Sequence, residues 1–471
     1  MLFRSMRWRF DLIRSLDSKH PITAHGIAKT FDRAAPSAGD DWRAAAEVES
    51  FGLTWGSCRH GDEPWKQFQA MDLVRAACRG KPFWHAESYA GPLWMANNVI
   101  GKPRDEGRIA SPDDIQYWHL AAYMAGASGS MYLRWRPLLN GPLFGAFGPY
   151  DLDGSRTERS AMSSKIAKWV AAPEQAELWK SRPVKGEIGI VYAPESQIFT
   201  FALRNGETEF YSGSMEGAYQ GFFDNNIQAD WVHIDDIENY PAIYLPFPAM
   251  LKQATADKLK GYVKQGGVLI SEGCPGYFGD AGRVGVKQPN LGLDELFGVK
   301  ESYAEFTPDL LTDLQFDVAG VRARGGLFMQ AYEVQSGEAK GSYDDGRTAA
   351  VDNEYGKGRT RILGTMCGYG YGSHPEDRDP SLWAELLSFA GIEPRVSSSD
   401  SRLKARIHEG EGGLWLWVAN PTRENIAATI TLNGQDALTT ASVHWGGEMS
   451  DDGNTLFVNA SARNVTIAKL D

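Results

Sequence analysis

Cysteine is scarce in this 471-residue chain. Its four residues, Cys58, Cys78, Cys274 and Cys367, share no short spacing, which argues against a disulfide framework and a zinc site and fits a reducing, cytoplasmic compartment. No apolar run approaches the length of a bilayer-spanning helix, so no membrane partner is expected. No Lys/Arg-rich run occurs and the net charge is -12, which argues against nucleic acid and anionic lipid as partners. The opening stretch, MLFRSMRWRFDLIRSLDS, is amphipathic and charged throughout, without the apolar core of a signal peptide. Repeats and low-complexity tracts are also missing.

What the chain does have is aromatic residues: 15 Trp, 18 Tyr and 21 Phe. Most serve any core, but aromatic faces also pack against the C–H faces of sugar rings. Length alone predicts more than one domain, and the rhythm of the sequence changes twice. Residues 1–182 alternate helix-period and buried-strand patterns: strands at HPITAHG, AEVESFGLTW, KPFWHAES and SGSMYLRWR, with helices between them. The helix of SPDDIQYWHLAAYMAGA is expected to be capped by Ser111 with Pro112 in its first turn, and RSAMSSKIAKWVAAPEQAELW closes the region. Strand–helix alternation implies a parallel sheet. Four strands make half of a (β/α)8 barrel. Alone, such a half exposes two edges, so either a partner segment covers it or the chain lacks its front. Residues 183–395, with GEIGIVYA, PAIYLPFP and VLISEG as strands, read as an open doubly wound sheet. Residues 396–471 are short, turn-bounded strands of a small antiparallel β domain, a sandwich in class.

The stretch KPFWHAESYAGPLW places Glu87 at the end of a strand among Trp84, Tyr89 and Trp94. Retaining glycosidases use two carboxylates about 5–5.5 Å apart, at strand C-termini where the scaffold is a barrel. Glu87 suits the nucleophile's place, and equally suits an acid satisfied by an arginine or a helix N-terminus. In MYLRWR, Arg134 and Arg136 alternate with Trp135, so on a continuous strand both guanidiniums face one side. Either would hold Glu87 ionised or form a structural salt bridge. Trp55, at the end of AEVESFGLTW, and His25, at the end of HPITAHG, fall at equivalent strand ends. Each is a pocket-wall candidate or simple packing.

Taken in order, these segments resemble glycoside hydrolase family 42, the β-galactosidases. KPFWHAES is similar to the family's nucleophile segment, MYLRWR to its FRWR strand and HPITAHG to its PVTTN strand. IGIVY, YPAIYLP, YVKQGGVLI, LDELFGV and YGKGRTRILGT resemble its trimerisation domain, which has a glutamine-amidotransferase-like sheet. The resemblance implies a retaining β-glycosidase acting by double displacement on a β-galactoside or related sugar. Glu87 is then the nucleophile; Trp55, Trp94, His25, Arg134 and Arg136 bind substrate. No metal or cofactor is implied, and the assembly is a homotrimer. The family's acid/base lies in an Asn-Glu pair on an earlier strand, which implies that this chain starts after it. Asn353-Glu354 reads as a coincidence. PLLNGPLFGAFG lacks the Glu and His that follow FRWR in the family, so the glycone stays open. Two further readings accompany this one. The chain is a catalytically silent oligomerisation or sugar-binding module, or, through Cys274 in SEGCPG, an amidotransferase relative; against the last, Glu272 stands where the cysteine elbow wants glycine.

Overall fold

A computed structural model of the chain describes residues 2–27, 30–91, 110–140, 147–307, 311–434, 441–452 and 455–470. They pack as two compact units, and neither is continuous in sequence. The first comprises Met1–Lys29, Asp41–Lys185 and Pro394–Asp471, the second Thr30–Asp40 and Gly186–Glu393.

In the first unit, a four-stranded parallel sheet runs β1 (Thr23–Gly26), β2 (Ser50–Trp55), β3 (Phe83–Ser88) and β4 (Ser130–Tyr132), in sequence order. Helix α1 (Leu2–Leu16) precedes it, and α2 (Pro64–Cys78), α3 (Pro112–Met124) and α4 (Glu158–Val170) follow β2, β3 and β4. All six residues of β2 are buried, as expected of a parallel strand covered on both sides. Helix α3 begins as its sequence predicts: Ser111 accepts from Asp114 N, the Asp114 carboxylate accepts from Ser111 N, and Pro112 opens the first turn.

Three sequence expectations are corrected. The second strand starts at Ser50 rather than at Ala46, because Ala46 ends the helix Asp41–Ala46, and Glu49 before the strand turns its carboxylate to Arg14 and to the Ile22 amide. The fourth strand stops at Tyr132 and does not run through Arg136. Among the described residues its ladder is to β3 alone, Ser88 pairs with Tyr132, and β3 ends there. The closing helix ends at Val170, and Pro173 opens the first of two short 3-10 turns in place of a continuation to Trp179.

The C-terminal segment belongs to this same unit. Its strands form a four-stranded and a five-stranded sheet, the latter recruiting Ser181–Pro183 beside Lys404–Gly410. Between the sheets lie Leu403, Ile407, Leu416, Val418, Ile430, Leu456 and Val458, all buried. Two buried arginines tie the sheets to the helices. Arg406 makes a bidentate pair with Asp72 of α2 at 2.8 and 2.6 Å. Arg463 Nη2 lies 2.7 Å from Asp114 of α3 and 3.0 Å from Asp62.

The second unit is built on a nine-stranded mixed sheet. Gly358–Leu363, Val268–Ser271, Ala242–Leu245, Ile188–Tyr192 and Ala229–His233 are parallel neighbours. Thr348–Tyr355, Glu338–Tyr343, Gln315–Val318 and Val321–Arg324 continue the sheet in antiparallel pairing, an extension the sequence reading did not contain. Asn353 and Glu354 lie on one of these added strands, with the Asn353 amide bonded to Leu296 O. The short segment Thr30–Asp40 also packs here. Phe31 sits 4.4 Å from the Trp231 ring, and the Gln197 amide bonds the backbone of Thr30, Phe31 and Ala35.

Candidate active site

Glu87 is positioned by an irregularity in β3. With strict alternation, Phe83, His85 and Glu87 share one face. The β2–β3 register instead runs Leu53 with His85, then Thr54 with Glu87, skipping Ala86. That extra residue is a β-bulge, which re-aims the side chains after it. His85 and Ser88, three apart, both meet His119 of α3: the two imidazole rings are 5.8 Å apart, and Ser88 Oγ is 3.2 Å from His119 Nε2. Glu87 is thereby turned to the opposite face. Gly52 makes room, because a Cβ there would come within 2.4 Å of Ala86 Cβ and 3.1 Å of His25 Cβ.

On that face Thr54 Oγ1 donates to Glu87 Oε2 at 2.8 Å, and His25 Nε2 stands 3.4 Å from the same oxygen. Three neighbouring strand ends thus converge on one carboxylate oxygen. The Glu87 side chain is 18 % exposed and His25 50 %, so the carboxylate is sheltered but reachable. Behind the sheet the chemistry is closed. His85 and His119 are fully buried, and burial holds them neutral, at about 4 and about 3. His85 Nε2 bonds Trp55 O at 2.8 Å, tying the ends of β2 and β3 together.

The sequence candidates fall into four groups. His25 and Glu87 are brought together, and Thr54, which sequence reasoning passed over, completes the cluster. Trp55 is buried against the His60 ring, and its Nε1 donates to Ser57 Oγ, so it packs the strand end instead of lining an open wall. Arg134 and Arg136 lie beyond β4, both exposed, and among the described residues neither pairs with Glu87; Thr54 and His25 take that place. Trp94 lies outside the described residues.

Cys274 sits at the end of Val268–Ser271 with φ 65, the strained backbone of a nucleophile elbow. It is buried, burial pushes its thiol up, and its amide donates to Gln330 Oε1. Glu272, two residues before it, holds a buried carboxylate that accepts from Tyr244 Oη, Phe247 N and Gly368 N. Among the described residues no histidine hydrogen-bonds this cysteine, so the elbow has geometry without a base.

Comparison with known proteins shows what this chain is similar to. Residues 186–391 match the family model described as the beta-galactosidase trimerisation domain. Among curated proteins, the β-galactosidase LacZ of Heyndrickxia coagulans is 22 % identical over 345 residues, covering 72 % of this chain and 49 % of that protein. The β-galactosidase Bga of Halorubrum lacusprofundi is 26 % identical over 383 residues, covering 75 % and 49 %. This chain therefore spans about half the length of the curated relatives it matches. Among solved structures, the β-galactosidase from Bacillus circulans sp. alkalophilus superposes with a TM-score of 0.79 at 17 % identity, over 100 % of this chain and 66 % of that one. Gan42B, a GH42 β-galactosidase from G. stearothermophilus, gives 0.77 at 16 %, over 98 % and 65 %. Family model, curated relatives and fold converge: this chain resembles the C-terminal portion of the β-galactosidases of glycoside hydrolase family 42.

Proposed function

We propose that the chain is the nucleophile-bearing portion of a retaining β-galactosidase-like glycosidase. The observation that supports this is Glu87 itself: a sheltered carboxylate at the C-terminal end of a parallel strand, anchored through one oxygen by Thr54 and His25. Glu87 attacks the anomeric carbon to form a glycosyl-enzyme, which water then hydrolyses. Among the described residues its two partners are a hydroxyl and an imidazole, and neither is the second carboxylate that the reaction needs to protonate the leaving group. We assign that acid to a complementary (β/α)4 segment, which would also pair the open edges at β1 and β4. Arg134, Arg136 and His25 are then available to sugar hydroxyls.

The test follows from the absence of a second carboxylate among the partners of Glu87 in the described residues. An activated aryl β-galactoside, whose phenolate leaves without protonation, is expected to be cleaved slowly by the chain, while lactose is not. Glu87→Gln abolishes that release; unchanged release in the variant overturns the assignment. A second reading, a silent assembly module, is favoured by the trimerisation-domain match over residues 186–391. A three-fold particle in sedimentation equilibrium together with no phenolate release selects it.

A further inference from the structure

We propose that Thr54 is the positioning residue of this site, and that it fixes which oxygen of Glu87 reacts: Oε2 is held and Oε1 attacks. The inference rests on the nucleophile reading above and goes beyond it. Both recorded contacts of the carboxylate, Thr54 Oγ1 and His25 Nε2, fall on Oε2; among the described residues Oε1 has none. An oxygen that accepts a hydrogen bond has a lone pair committed and a fixed direction, whereas attack needs a free lone pair aimed at carbon.

Thr54 is the firmer of the two anchors. It is a β-branched residue with restricted χ1 on a strand that is buried throughout. Its Cα is the direct cross-strand partner of Glu87. His25 is half exposed, on the edge strand, and 3.4 Å away. The bulge at Ala86 and the missing side chain at Gly52 belong to the same device: without them Glu87 faces α3, and Thr54 has no carboxylate to hold.

The covalent step can be read without an acid by using a 2-deoxy-2-fluoro-β-galactosyl fluoride. Glu87 Oε1 forms a bond to the anomeric carbon while the C–F bond breaks and fluoride departs with the electron pair; no proton is required. The adduct accumulates, because the ring fluorine slows its hydrolysis, and is located by peptide mass spectrometry of the full chain. The wild type is expected to carry the adduct on Glu87. Thr54→Val should lower the maximal labelling rate by about 10- to 100-fold, the range of a misplaced reacting group, with the inactivator's apparent affinity unchanged. Thr54→Ser, which returns a hydroxyl, should restore most of the rate. A merely structural role would not produce that rescue between variants whose thermal melts agree. Labelling of Thr54→Val at the wild-type rate, or a Thr54→Ser variant as slow as it, overturns the positioning role alone. Absence of any adduct on Glu87 in the wild type overturns the nucleophile reading, and this inference with it.

Discussion

The two units differ in the buried groups whose protonation is shifted. The first keeps bases neutral and pairs its cations: His85, His119 and His408 are fully buried with protonation pushed down to about 4, about 3 and about 3, in each case mainly by burial. Arg406 and Arg463 are neutralised by aspartates. The second buries an acid that favours its proton. Burial raises Glu272 to about 7, against the pull of the Gly368 and Phe247 amides and the Tyr244 hydroxyl. These two sets of buried groups therefore answer acid with opposite signs. For the histidines, only the unfolded chain takes up protons between about pH 6.5 and the depressed folded value, so their contribution is intact above 6.5 and lost as pH falls toward 4. For Glu272 only the folded state holds the proton between 4.5 and about 7, so its contribution is full below 4.5 and lost as pH rises to 7.

The largest effect should come from breaking the first unit's ion pairs. Arg463→Ala strips the buried Asp114 of its nearer cation and is expected to cost about 3–5 kcal/mol, read by urea unfolding. Arg423, which reaches the same Asp114 at 3.0 Å but is 45 % exposed, should cost at most about 1 kcal/mol as alanine. Equal costs would remove burial as the distinguishing property.

Next in size is the pH contrast, which hydrogen exchange can read in each unit separately. On going from pH 7 to 5, amides of the parallel sheet should exchange faster and those around Glu272 more slowly, after correction for intrinsic rates. Glu272→Gln should flatten the second response, worth about 3 kcal/mol between pH 4.5 and 7, and leave the first untouched. A uniform response across the chain would dissolve the comparison.

Two glycine substitutions should give smaller effects of opposite sign. Gly52→Ala forces a methyl against the bulge residue Ala86 and should destabilise the first unit by about 1–3 kcal/mol. Gly261→Ala, inside the helix Gln253–Lys264 with nothing within 4 Å of the new carbon, should stabilise the second by about 1 kcal/mol. Thermal melting distinguishes the signs.

Much of the scaffold was legible because local chemistry agreed with tertiary placement. Ser111 and Pro112 announce α3, and KPFWHAES announces β3 with its terminal acid. The site was half legible. Glu87 and His25 could be picked out because they stand at strand ends. Thr54 could not, since its role arises only from the cross-strand register, and the face of Glu87 was unreadable because one bulge inverts the period-two rule. The arginine pairing failed for a related reason: where a strand ends depends on whether its neighbour continues, which the strand's own residues do not encode. The placement of Thr30–Asp40 with the second unit was equally silent, because a Phe packing among distant aromatics leaves no periodic mark.

That interleaving carries a consequence for synthesis. The second unit is complete once Glu393 has left the ribosome, since its early segment Thr30–Asp40 has long been waiting. The first cannot finish until the last strand, Asn464–Leu470, emerges, because Arg463 and its sheet brace the helices made some three hundred residues earlier. The order of maturation is thus the reverse of the order of translation. The parallel sheet bearing Glu87 therefore gains its full bracing only after the last strand has been made.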